Sequence, residues 1–196
     1  MGEERHLLTN TIRLYTSQMP PVLSAIERDG FCMSKEAYVQ RKYQESASSF
    51  LTVYEWFAKK AATIVPKPDG AELPYWAFED IYNVDASNCD DHVLTLDVPR
   101  NQVVLFDMYD WTKLMQFSYL GETEQEEKEF KEQLSQCGLT EYDVMMSQFY
   151  PEWKQKIFAS WERLFCHHDA LIRGEKTEAR SVQAALWKIE KDWIEV

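Results

Sequence analysis

Residues 92–111 read HVLTLDVPRNQVVLFDMYDW, and this stretch decides the fold. Two apolar runs, VLTLDV and VVLF, flank Pro99-Arg100-Asn101-Gln102, and an aromatic helix start follows directly. Runs of this length, rich in β-branched and aromatic residues, predict strands. The expectation is two consecutive strands of a central sheet, the second delivering Asp107 and Trp111 at its exit. Strand exits are common places for binding and catalytic groups.

Upstream, residues 11–18, TIRLYTSQ, alternate as a strand does. Pro20 and Pro21 stop it, and Pro21 suits a helix's first turn, where an amide would lack an internal partner anyway. The helix PVLSAIERD ends at Gly30, a residue suited to the left-handed position. A short apolar piece follows at 31–33. Ser34 is placed to cap a long helix to about Thr63, with Phe50, Val53, Tyr54, Phe57 and Ala61 as its buried stripe. VPKPDG at 65–70 breaks it, and LPYWAFED reads as a short strand or extended edge. Residues 83–91 read as a polar loop.

Downstream, the pattern is helical from Tyr109 to about Leu120. Residues 122–132, ETEQEEKEFKE, read as a solvated acidic helix face. Gly138 and Thr140 separate two helices, and Pro151 opens another whose Trp153, Ile157, Trp161 and Leu164 share one sector. Residues 166–181, with Gly174 and many charges, read as a mobile loop. VQAALWKIEKDWIEV at 182–196 favours a terminal strand or two. The fold class predicted is α+β: one domain over 1–196, with a central mixed or antiparallel sheet flanked by helices and residues 1–10 flexible.

Composition narrows the partners. The 196 residues are 45% hydrophobic and 14% aromatic, which suits a chain with a real core. Lysine and arginine number 21 against 33 acidic residues, a net charge of −12. A nucleic acid or an anionic membrane would meet repulsion, so neither is expected. The four cysteines, Cys32, Cys89, Cys137 and Cys166, show no CxxC spacing. The start MGEERHLLTN is too polar for a secretory leader, and no apolar run approaches bilayer length. The expected location is cytoplasmic, with reduced thiols.

Few groups stand out as chemistry. Cys166-His167-His168-Asp169 is the one dense set of potential metal ligands, but neighbouring side chains on an extended loop diverge, and zinc needs convergence. The expectation is a polar loop and no metal. Phosphate-cradle and nucleophile-elbow motifs are absent from the sequence. In the first strand, alternation puts Arg13, Tyr15 and Ser17 on one face and Ile12, Leu14 and Thr16 on the other, with Gln18 on the side of Thr16. Gln183 opens the last strand beside the small Ala184 and Ala185, which permit close approach. Trp76, Trp111, Trp161 and Trp187 are large enough to wall a pocket, though such rings usually fill cores. Glu162 points away from its helix's apolar sector, while Arg163 flanks that sector and could reach a carboxylate or phosphate.

Taken together, RLYTSQ, YEWF, LPYWAF, VLTLDVPRNQVVLFDMYDW, SWERLF and VQAALWKI resemble the bacterial family called domain of unknown function 3841. The blocks cover nearly the whole chain. The family's motif positions fall here on Tyr15, Thr16, Gln18, Trp76, Asp107, Trp111, Trp161, Arg163 and Gln183. Where members usually have Ser before the Asp this chain has Phe106, and where they usually have His after the Trp it has Thr112. A looser similarity in layout is to ADP-ribosyltransferase folds, whose split sheet clamps NAD. That similarity implies Arg13 or Tyr15 against the cofactor and Gln183 at the late polar position. Gln there lacks the carboxylate that would deprotonate an acceptor.

Two readings result. In the first, a hollow shared by the first, central and last strands brings Gln18 and Gln183 together and binds NAD or a related nucleotide. Arg13, Tyr15, Thr16, Gln18, Trp76, Trp111 and Arg163 are its contacts, and Gln183 and Asp107 its catalytic groups. In the second, the chain is a non-catalytic regulatory module that binds a protein partner. Apart from these two stands some other enzyme on the same scaffold, for instance a hydrolase using Asp107.

Overall fold

A computed structural model describes residues 10–44, 47–85, 87 and 92–195. The flexible start expected at 1–10 lies, but for Asn10, outside the described residues. Strands β1 (Thr11–Gln18), β3 (Tyr75–Phe78), β4 (His92–Pro99), β5 (Val103–Asp107) and β6 (Val182–Leu186) form one sheet in the order β4-β1-β3-β6-β5. Every neighbouring pair is antiparallel. Strands β2 (Phe31–Met33) and β7 (Lys188–Glu190) form a separate antiparallel pair. The fold is α+β, as the sequence predicts.

The order corrects the sequence reading in one respect. The two runs around Pro99 are strands, but they are the outermost two, and YWAF, expected as a short strand or extended edge, is the middle strand. Counting directions across four antiparallel steps makes β4 and β5 parallel, so β4 ends where β5 finishes. In a flat sheet the two ends of the link would lie roughly 30 Å apart at usual strand spacing and rise. Only the turn Arg100–Gln102 joins them, and four residue steps reach at most about 14 Å. The sheet must therefore coil like a partly closed barrel. Residues 92–107 thus supply both edges, with the turn Arg100–Gln102 between β4 and β5.

That coil separates two cores. Inside lie Ile12, Leu14, Ala77, Leu96, Val98, Leu105, Ala184 and Leu186. On the outside lie Val104, Phe106 and Ala185, covered by the helices. Both outer edges are also occupied. The Glu195 amide donates to Thr95 O at 2.9 Å beside a Leu96–Ile194 bridge, while the Leu105 amide donates to His168 Nδ1 at 3.1 Å.

Helix α1 (Pro20–Asp29) starts at the proline pair and ends at Gly30, whose φ of 82° places its amide on Ile26 O at 2.9 Å. The single long helix expected from Ser34 is instead two, α2 (Glu36–Tyr43) and α3 (Ala47–Ile64). Ser34 is not the cap: it bridges to Leu73, and the Glu72 carboxylate accepts the Glu36 amide at 2.9 Å. The expected stripe on α3 is buried at Val53, Tyr54, Phe57 and Ala61. Helix α4 (Met108–Met115) stops short of Leu120, because Phe117 turns left-handed at φ 61° and its neighbouring amides bond back onto the last turn.

Helices α5 (Glu124–Gln136), α6 (Glu141–Met146) and α7 (Pro151–Ser160) follow, the last running into a tight turn at Trp161–Phe165. Their buried residues Phe130, Leu134, Val144, Ile157, Trp161 and Leu164 complete the outer core. The stretch expected as a mobile loop contains α8 (His168–Ile172), anchored because buried His168 satisfies the β5 edge. Among the described residues, no helix is long and apolar enough to cross a membrane.

Candidate functional site

Opposed residues of an antiparallel sheet share a face. The register therefore lines up Tyr15, Phe78, Gln183 and Phe106 as one row on the helix-covered face. One step along the same face lie Trp76, Ala185 and Val104. Trp111 of α4 closes over them, its ring 4.7 Å from Trp76 and 6.0 Å from Phe106, with Tyr54 of α3 at 5.7 Å. Gln183 thus sits among aromatic rings.

Only 4% of Gln183 is exposed, and its amide has no hydrogen-bond partner among the described residues. Buried amides nearly always have one. The one unpartnered side-chain polar atom sealed from solvent among the described residues is Ser17 Oγ, so the Gln183 amide keeps a small window to solvent. Ser17 shares a face with Tyr15. Two polar groups without protein partners thus belong to one aromatic-lined face.

Thr16 and Gln18 face the other way, with Leu14, so one hollow cannot contain both Gln18 and Gln183. This corrects the shared hollow expected from the sequence. Their roles are visible in the hydrogen bonds. Strands β1 and β3 share a single register pair, Tyr15–Phe78. Beyond it, Thr16 Oγ1 donates to Trp76 O at 2.7 Å and Gln18 Nε2 donates to Thr16 Oγ1 at 2.8 Å. The two side chains bridge strands where the backbone ladder lapses, and both are buried.

Asp107 is fully engaged. Its Oδ1 accepts the Tyr109 amide at 2.7 Å, capping α4, and its Oδ2 accepts the Arg180 amide at 2.9 Å with the Arg180 guanidinium 3.5 Å away. It ties the entry of β6 to the exit of β5. Arg180 also stacks on Tyr109 at 4.4 Å and lies 3.8 Å from Asp110. Burial, and then the neighbouring Asp107 charge, push the Asp110 carboxyl up from the usual range.

The two arginines are equally committed. Arg13 pairs with Asp97 at 3.4 Å and with Glu195. Arg163 donates to Leu120 O and Glu126 at 3.1 Å and to Glu122 at 3.0 Å, pinning α5 to the turn after α7. It stands apart from the row of Gln183, on the lining of an open cleft of about 440 Å³ between α5 and α7. A second cleft, of about 520 Å³, lies beside Lys113, Glu127 and Lys131. Lysine and glutamate there pair with each other: Lys113 with Glu127 at 2.6 Å.

Of the predicted site residues, the structure places Tyr15, Trp76 and Gln183 on one face of the sheet, with Trp111 packed against Trp76. It puts Thr16 and Gln18 on the opposite face, and it uses Asp107, Arg13 and Arg163 as ties. Trp161 and Trp187 are core, their indole N–H groups donating to Ser118 O at 2.7 Å and Val65 O at 2.9 Å. Two residues gain weight that the sequence reading did not give them. Ser17 was legible from strand alternation, whereas His168 was hidden in a polar-looking segment. Burial holds the His168 ring below the usual imidazole range, and accepting the Leu105 amide at Nδ1 needs the neutral ring. Among the described residues, no three His, Cys, Asp or Glu side chains are grouped to hold a metal ion.

No curated protein and no solved structure matches the chain. One family model does, described as Domain of unknown function (DUF3841), over residues 13–195. That match runs from β1 through the closing segment at Glu195 and so includes every strand of the coiled sheet. The chain belongs to the family Domain of unknown function (DUF3841).

Proposed function

We propose that this protein binds a small molecule over β6, and that the bound part is a planar, hydrogen-bonding group such as NAD and related nucleotides carry. The observation that supports this is the Gln183 amide, nine-tenths buried and unpartnered among aromatic rings. A carboxamide offers two donors and one acceptor, and the packed rings of Trp76, Trp111 and Phe106 wall the face of the sheet that carries it. Closing its remaining window to solvent without a partner would cost about 1–3 kcal/mol, so an occupant of the site has to hydrogen-bond the amide.

The reading is of binding rather than transfer chemistry. An amide does not serve as a general base, and both oxygens of Asp107 already accept hydrogen bonds. The ADP-ribosyltransferase-like idea therefore extends here only to holding NAD. The test is a thermal-shift and calorimetric titration of the full chain with NAD, ADP-ribose and nicotinamide, repeated on Gln183→Leu. Saturable binding lost in the variant supports the reading, and a folded protein that takes up none of them refutes it.

A second reading has its own observation. Tyr142 and Met146, four residues apart on α6, are 57% and 49% exposed, and Phe149 beyond them is 86% exposed. Adjacent exposed apolar side chains suit a protein partner. Tyr142→Ser with Phe149→Ser should abolish co-purification of that partner while leaving nicotinamide binding intact. A partner retained by the double variant would rule this surface out.

A further inference from the structure

The charges around the Gln183 end of the sheet say which part of a ligand the site selects. On the same face, the row beyond Tyr15 and Gln183 carries Arg13 and, just after β3, Asp80. Arg13 is already matched by Asp97 and Glu195. Arg180 is matched by Asp107 and Asp110, and Lys113 by Glu127 and Asp110. Asp80 accepts the Tyr82 amide at 2.9 Å and has no cation beside it among the described residues. Arg13, Arg180 and Lys113 are thus each paired, while the Asp80 carboxylate is not. The rings next to Gln183 carry no charge at all.

We infer that the site selects its ligand by an uncharged, planar hydrogen-bonding group, a carboxamide or nucleobase edge set against Gln183, and that attached phosphates stay outside and weaken binding. This rests on the reading proposed above and makes it more specific. Ordinary phosphate recognition uses free guanidinium groups or helix N-termini. At this end α4 offers neither, since Asp107 and Asp110 occupy its first turn. A phosphate charge held about 8 Å from an unpaired carboxylate in water loses roughly two-fold in affinity for each such pair, and salt screens that loss.

The experiment is calorimetric titration of the full chain with nicotinamide, adenosine, NAD and ADP-ribose at low and high salt. The expected result is that nicotinamide or adenosine binds at least as tightly as the phosphate-bearing ligands, and that added salt tightens only the latter. If NAD or ADP-ribose binds while nicotinamide and adenosine do not, and salt weakens binding, the inference is overturned and the binding reading survives. If none of the four binds, both fall. A second arm uses Asp80→Asn, which keeps an oxygen for the Tyr82 amide. It should raise NAD affinity about two-fold and leave nicotinamide unchanged; equal effects on the two ligands would overturn the electrostatic argument.

Discussion

Replacing Asp107 with Ala tests whether that carboxylate is a structural tie. The side chain is 6% exposed and accepts two backbone amides, Tyr109 at 2.7 Å and Arg180 at 2.9 Å. Losing an N-terminal helix cap costs about 1 kcal/mol. Leaving the part-buried Arg180 amide without its acceptor adds about 1–3 kcal/mol. The ion pair with Arg180, 55% exposed at 3.5 Å, contributes little beyond this. The sum is a loss of about 2–4 kcal/mol, and at about 2–4 °C per kcal/mol for a domain of this size the melting temperature should fall by roughly 5–15 °C. Asp107→Asn retains one acceptor oxygen and should lose about half as much. The measurement is urea unfolding, followed by the shift of its midpoint at constant slope. If Asp107→Ala unfolds within about 0.5 kcal/mol of the parent, a change ordinary for a surface substitution, the tie does not exist and the carboxylate is free for chemistry.

Further outcomes follow from the same geometry. Gln183→Leu should leave stability unchanged or raise it by up to about 1 kcal/mol, since no protein group loses a partner, while binding of nicotinamide is lost; clear destabilisation in urea would mean the amide is already satisfied. Trp161→Ala should cost about 3–5 kcal/mol, because the ring is wholly buried and its N–H donates to Ser118 O; a midpoint shift equivalent to under 1 kcal/mol would contradict its place in the core. His168 is held neutral in the fold, so the unfolded chain takes up a proton first. Its contribution is complete above the ordinary imidazole range near pH 6.5 and is lost as pH falls through the lower folded value, by at most about 1.4 kcal/mol per pH unit. Unfolding free energies measured from pH 8 to 5 should show that slope, flattened in His168→Asn; an identical slope in the variant would assign it to other groups.

Strand identity was readable because alternation and apolar runs report local geometry, and β1, β4, β5 and β6 stand where the sequence put them. Strand order was not. The VVLF run looks central because it is buried on both faces, yet β5 is an edge whose outer amide is satisfied by His168 from 63 residues away. YWAF looked peripheral because it is short, although four residues suffice for a strand held on both sides. For the site, alternation separates Ser17 from Thr16 and Gln18, and it was enough to show that Gln18 faces with Leu14. Its relation to Gln183 depended on the register through β3, which one strand cannot show. The commitments of Asp107 and Arg163 depend on Arg180, Glu122 and Glu126, distant in sequence, so both looked available.

The short link at Arg100–Gln102 between the two edge strands has a consequence for how this chain behaves when crowded. A sheet whose two outer members are one continuous segment cannot be lengthened by docking another chain without first uncoiling. On β4, Thr95 O accepts the Glu195 amide beside the Leu96–Ile194 bridge, and on β5 the Leu105 amide is taken by His168. Open edges are the templates from which fibrils grow, and here Ile194 and Glu195 cover part of one and the helix His168–Ile172 part of the other. Self-association of this kind should therefore begin with detachment of Ile194 and Glu195 or of α8, and Ile194→Pro should hasten it.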